Sequence, residues 1–176
     1  TSMTSIIKVD EIQNKSGTTA LTIDSSGRIL QPAKPAFKME LHTELSPANY
    51  SSTTVFLPDT IRFNVGGGAA ITGGAGQYTV PVTGIYFIHF QINLVGVTGA
   101  SYVLADLLVN DAPINGSGDT SARYIEDPQG GNYLTAANSA LFQFNANDVV
   151  KLQFLVNGDT SSTLRDGSVF SGFLVS

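Results

Sequence analysis

The chain has 176 residues, a length for one domain with a small appendage, and its 42% hydrophobic content is enough for a sizeable core. Lys, Arg, Asp and Glu make up only 13% of it, about half the share usual in soluble domains, so much of the surface is expected to be covered. The net charge of −5 includes no basic run, which argues against nucleic acid as a partner; no apolar stretch approaches the roughly 20 residues of a membrane span, the first residues lack the basic-then-apolar pattern of a secretory signal, and zero cysteines exclude disulfide and thiolate chemistry.

Short alternating runs bounded by Gly, Asn, Asp and Pro recur from end to end, which predicts an all-β sandwich or barrel. First comes a distinct piece, Ile6 to Leu30, in which Ala20–Asp24 and Arg28–Leu30 flank Ser25-Ser26-Gly27, a hairpin signal with glycine where positive φ is needed. A lone hairpin is marginal in water, so this piece is expected to pack against sister chains. The Pro-bounded joint Gln31-Pro32-Ala33-Lys34-Pro35 is the natural boundary, giving segments 1–34 and 35–176.

Beyond the joint, strands are expected at Phe37–Leu41 and Ile61–Asn64. The glycine-rich stretch from Gly66 to Gly76 lacks the Lys-Ser/Thr ending and following helix of a phosphate cradle and reads as a loop. Gln77–Val80 is followed by the clearest strand, Ile85–Leu94, with Tyr86, Ile88, Phe90, Ile92 and Leu94 on a core face and Phe87, His89, Gln91 and Asn93 opposite. Tyr102–Asn110 precedes a polar connection, Asn115 to Asn132, of the kind that often carries recognition. Ala140–Phe144 and Val149–Val156 flank a turn at Asn145–Asp148, and Val169–Ser176 is the last strand.

Catalytic chemistry has little to stand on. The two imidazoles, His42 and His89, lie in different strands and match no zinc spacing or nucleophile motif. His89 reads as a cross-strand or interface residue whose protonation would make assembly respond to pH. Asp111, Asp119, Glu126, Asp127, Asp159 and Asp166, in or beside loops, would suit a hard cation such as calcium, though solvated turns are equally rich in Asp and no calcium-loop spacing is present. No metal ligands and no other cofactor are assigned. Arg123, Tyr124 and Tyr133 form a candidate carbohydrate surface, stacking and hydrogen bonding to a glycan; such residues also pin loops.

The pairing of Asp148-Val149-Val150-Lys151-Leu152-Gln153 with Ser168-Val169-Phe170-Ser171-Gly172-Phe173-Leu174-Val175 resembles the C-terminal signature of C1q-like domains, and Gly84-Ile85-Tyr86-Phe87-Ile88-His89-Phe90 resembles their central strand. Ile88 stands for a usual aromatic and Asn147 for a customary glycine. The resemblance, over Ala36 to Ser176, implies a jelly-roll β-sandwich of the C1q/TNF type that assembles as a homotrimer and is not an enzyme. It implies a subunit interface formed by Phe87, His89, Gln91, Leu141, Gln143, Phe170, Gly172 and Leu174, with Gly172 allowing close approach. A face carrying Phe87, Leu141, Phe170 and Leu174 opposite the core would otherwise expose a large apolar patch, unless a loop covers it.

The leading piece, Ile7-Lys8-Val9-Asp10-Glu11-Ile12-Gln13-Asn14 with Gly17-Thr18-Thr19-Ala20-Leu21-Thr22-Ile23, resembles the opening of structural proteins of tailed phages, especially marine ones. Together the two resemblances imply a virion-surface fibre or capsid appendage. Its N-terminal segment would join a virion attachment protein or start the trimer, and its head would bind a host-surface glycan or protein. A secreted or cell-surface lectin-like domain with the same head is the alternative, and a glycan-cleaving enzyme the third.

Overall fold

Chain punctuation and alternation both lead to strands: the computed structural model, which describes residues 7–97, 99–114, 123–126, 132–158 and 161–176, carries almost no helix. Its strands fall into two units, 1–34 and 35–176.

The first unit holds β1 (Glu11–Gln13), β2 (Thr19–Ile23) and β3 (Ile29–Leu30) as an antiparallel three-stranded sheet, one strand more than the expected hairpin. Both turns are closed by their own side chains. Asn14 Oδ1 accepts from the amides of Ser16 and Thr18, and Asp24 Oδ1 from those of Ser26 and Arg28, while Gly27 takes φ +77°.

The second unit is a sandwich of two antiparallel sheets in a jelly-roll arrangement. One sheet runs in the order β13 (Tyr133–Phe144), β9 (Gly84–Val95), β16 (Val169–Leu174), β4 (Ala36–Glu40), β6 (Thr60–Val65), with β15 (Thr163–Leu164) against β9. The other runs β11 (Ala112–Pro113), β10 (Tyr102–Val109), β14 (Val149–Asn157), β8 (Ala75–Thr79), β7 (Ala69–Thr72), with β12 (Arg123–Glu126) against β10 and β5 (Thr54–Val55) against β14.

Between the sheets lies one core. The first sheet supplies Phe37, Tyr86, Ile88, Phe90 and Phe142, the second Tyr78, Leu107, Val150, Leu152 and Phe154, all buried. Phe37 stacks on Tyr78 at 4.0 Å between ring centroids and meets Phe170 edge-on at 5.0 Å. Each such side chain removed from water contributes about 1.5–3 kcal/mol.

Two expectations are corrected here. The glycine-rich stretch is not wholly a loop: β7 and β8 pair through Thr72 and Ala75 around Gly73-Gly74, whose φ values of +59° and +84° suit a type I′ hairpin turn that matches strand twist. The last strand has the opposite parity to that expected. Phe170 pairs with core-facing Phe90, Gly172 with Ile88 and Leu174 with Tyr86, so these three face the core; Val169, Ser171 and Phe173 take the outer face. A one-residue change of register exchanges the faces of a whole strand. At the β13–β14 turn, Asn147 adopts φ +73°, left-handed geometry that Asn tolerates better than most residues, which accounts for its standing where glycine is customary.

Candidate functional site

The outer face of the sheet built on β9 is not used by the core of the second unit. Register sets its rows. Leu141 of β13, Phe87 of β9 and Phe173 of β16 lie side by side, with the Phe87 and Phe173 rings 5.4 Å apart; Ser139, His89, Ser171, Lys38 and Phe63 form the next row. Leu141 is 58% exposed, Phe63 47%, Phe173 46% and Ile85 40%. They form an apolar band, and Phe63, Phe87 and Phe173 help to line a crevice of about 130 Å³ within it.

The other half of the face is polar and internally bonded. Glu40 accepts from both Lys38 and Arg62, and Arg62 Nη2 lies 3.1 Å from His42 Nδ1. Asn93 Oδ1 accepts from Gln91 Nε2 and Thr135 Oγ1, both at 3.0 Å, and Asn93 Nδ2 donates to the Asp166 carbonyl. His42, which lies just past the end of β4 and not in a strand as expected, and His89 of β9 help to line one concavity of about 460 Å³ with Lys38, Glu40, Asp166 and Ser171. His89 Nδ1 is 2.9 Å from Ser139 Oγ. Burial pushes the imidazole below its ordinary value, against a backbone bond to Asn138, so it is neutral at pH 7. Among the described residues no carboxylate bonds to His89 to orient it as a general base.

The face therefore brings together Phe87, His89, Gln91, Leu141 and Gln143 of the expected set and leaves out Phe170, Gly172 and Leu174. Ile85, Phe63, Ser139, Ser171 and Phe173 are members that the sequence reading missed. Phe173 was within reach of it, because residues 169, 171 and 173 alternate as well as residues 170, 172 and 174 do.

The proposed carbohydrate residues do not converge. Arg123 on β12 donates from Nη2 to the fully buried Asp106 carboxylate at 3.0 Å, and its carbonyl accepts from Asn138 Nδ2. Tyr124 packs on the core. Tyr133 lies five residues along β13 from Asn138, about 17 Å of strand. There it is 67% exposed, with the Arg165 guanidinium 5.3 Å from its ring centre and Arg165 Nε bonded to Glu44. Tyr133 and Arg165 are thus the exposed pair, a combination that strand assignment alone could not supply.

Of the candidate calcium carboxylates, Asp111 is paired with Lys151 at 2.6 Å, and Asp166 lies 3.7 Å from Arg165 Nη2. Asp119, Asp127 and Asp159 lie outside the described residues, as does the side chain of Glu126. Among the described residues no three His, Asp or Glu side chains are grouped to hold a metal ion.

Comparison with solved structures places the sandwich among known folds. It is similar to the globular domain of zebrafish complement 1qA protein, with a TM-score of 0.57 and 16% identity over 81% of this chain and 98% of that one. It is also similar to murine APRIL at pH 5.0, with a TM-score of 0.54 and 16% identity over 80% and 98%. At these identities the likeness is one of fold. The C1q-domain model matches residues 36–175, nearly the whole sandwich, and the chain belongs to the C1q-domain family.

Proposed function

We propose that the chain is a homotrimeric recognition module, with the outer face of the β9 sheet packed around a threefold axis and ligand bound on surfaces left exposed. The observation that supports this is the apolar band of Ile85, Phe87, Leu141 and Phe173 beside an internally bonded polar half. In a chain so poor in charge, a continuous exposed apolar patch marks an interface. The C1q-family head and a His89 imidazole bonded to Ser139 support binding rather than catalysis.

The finer reading is a virion-surface fibre or capsid appendage of a tailed phage, attached through residues 3–30 and engaging a host-surface glycan or protein. It is supported by the sequence of residues 7–23. A secreted or cell-surface recognition domain shares the head, and the two readings part only at the N-terminal unit. Light scattering at micromolar concentration tests the assembly: a particle of about three times the 18.5 kDa protomer is expected, and a monomer overturns it. Binding of residues 3–30 to purified virions supports the phage reading, and indifference to virions removes it.

A further inference from the structure

The N-terminal sheet has two unlike faces. By register, Ile12 of β1 lies opposite Leu21 of β2, and Ile23 of β2 opposite Ile29 of β3, so these four aliphatic side chains share one face; Glu11, Thr22 and Leu30 lie on the other, with Ala20 following by alternation, so that face carries one large aliphatic side chain against four. Ile12 is 48% and Ile29 66% exposed. The polar side chains are already engaged: Glu11 with Gln13 and Thr19, Asp24 with Arg28, and Asn14 with its own turn. Among the described residues of the unit no second layer of strands covers the apolar face.

We propose that this face is a second contact between copies of the chain, in which the Ile12, Leu21, Ile23 and Ile29 faces of three N-terminal sheets close on one another. The proposal rests on the homotrimeric reading of the head. A sheet whose strands are two to five residues long buries little apolar surface unless something packs on its apolar face. Its ordering therefore needs a partner, and sister chains are the partner the chain itself supplies. The joint from Gln31 to Lys34 reaches at most about 14 Å, so a trimeric head would hold three such sheets at an effective concentration on the order of millimolar. Lys8, Lys15, Arg28 and Lys34 nearly balance Asp10, Glu11 and Asp24 in the segment, so little net charge opposes the association of identical copies.

Because the chain lacks cysteine, single substitutions report on one position each. Full-length Ile12→Cys, Ile23→Cys and Ile29→Cys are compared with Ala20→Cys on the opposite face. Mass is read by light scattering, and contact by a short bismaleimide and by the rate of thiol labelling. In a trimer, the three face variants are expected to cross-link chain to chain and to label about tenfold more slowly than Ala20→Cys. A trimer in which those three variants label as fast as Ala20→Cys and do not cross-link overturns the proposal and leaves the head trimer standing, with the face free for a foreign partner. A monomer overturns both.

Discussion

Gly172 and Phe170 show how one residue's surroundings decide its role. A Cβ on Gly172 would meet Ile88 Cδ1 at 2.6 Å, the Phe87 carbonyl oxygen at 2.8 Å and Phe37 Cε1 at 3.0 Å, so the glycine permits close approach inside the protomer and not between protomers. Gly172→Ala is expected to cost about 1–3 kcal/mol through overpacking, and Phe170→Ala about 3–5 kcal/mol through the cavity left beside Phe37, both read by denaturant unfolding. Phe173→Ser, on the outer face, is expected to shift the particle mass toward monomer instead. The sequence of this strand supports either parity, and only its pairing with β9, a long-range contact, selects one. Asp59 makes a second residue-scale test. Its carboxylate accepts from the amides of His42 at 2.7 Å and Thr43 at 2.8 Å; desolvation alone would raise its pKa, but these bonds hold it below the ordinary carboxylate value. A depressed folded-state value stabilises the protein above the unfolded pKa of about 3.9 and is lost as pH falls below it. Asp59→Ala is expected to cost about 1 kcal/mol at pH 7 after allowance for solvent screening, with wild type and variant converging as the pH falls below about 4.

Strands were legible where one face alternates cleanly, and less so where composition blurs both faces. β9 was expected within one residue at each end because aromatic and branched residues mark its core face. The first half of β13 was missed because Thr135, Ala136, Ala137, Asn138 and Ser139 carry no apolar alternation; long pairing with β9 holds it in the sheet. The β7–β8 hairpin was hidden by its own glycines, although Gly73-Gly74 is the dipeptide that the turn requires. β12 falls in a stretch read as polar connection, and what fixes it is pairing with β10 and the Arg123–Asp106 bond. Arg123→Ala removes a partner of a fully buried carboxylate and is expected to destabilise the protein by about 2–4 kcal/mol, lowering the thermal midpoint by several degrees. An unchanged midpoint would return Arg123 to the solvent-facing, ligand-binding role expected of it from sequence.

At the scale of the whole molecule, the proposed assembly buries the neutral imidazole of His89 against two sister copies. The groups sharing its concavity are Lys38, Glu40, His42 and Asp166, with Ser139 and Ser171 beside it in the sheet. Burial already pushes the His89 pKa below the ordinary value of about 6.5 in one chain, and closing the face removes more water from all three. A histidine with a depressed folded-state value binds fewer protons folded than unfolded. The resulting loss of stability is absent well above pH 6.5, grows as the pH falls through that value and is complete below the folded pKa. The trimer is therefore expected to loosen in the window just below about pH 6.5. Sedimentation at fixed protein concentration should show monomer rising across that window, and His89→Gln, which keeps a polar group opposite Ser139 but cannot titrate there, should flatten the response. An equally steep response in His89→Gln would overturn the assignment of the acid sensitivity to His89.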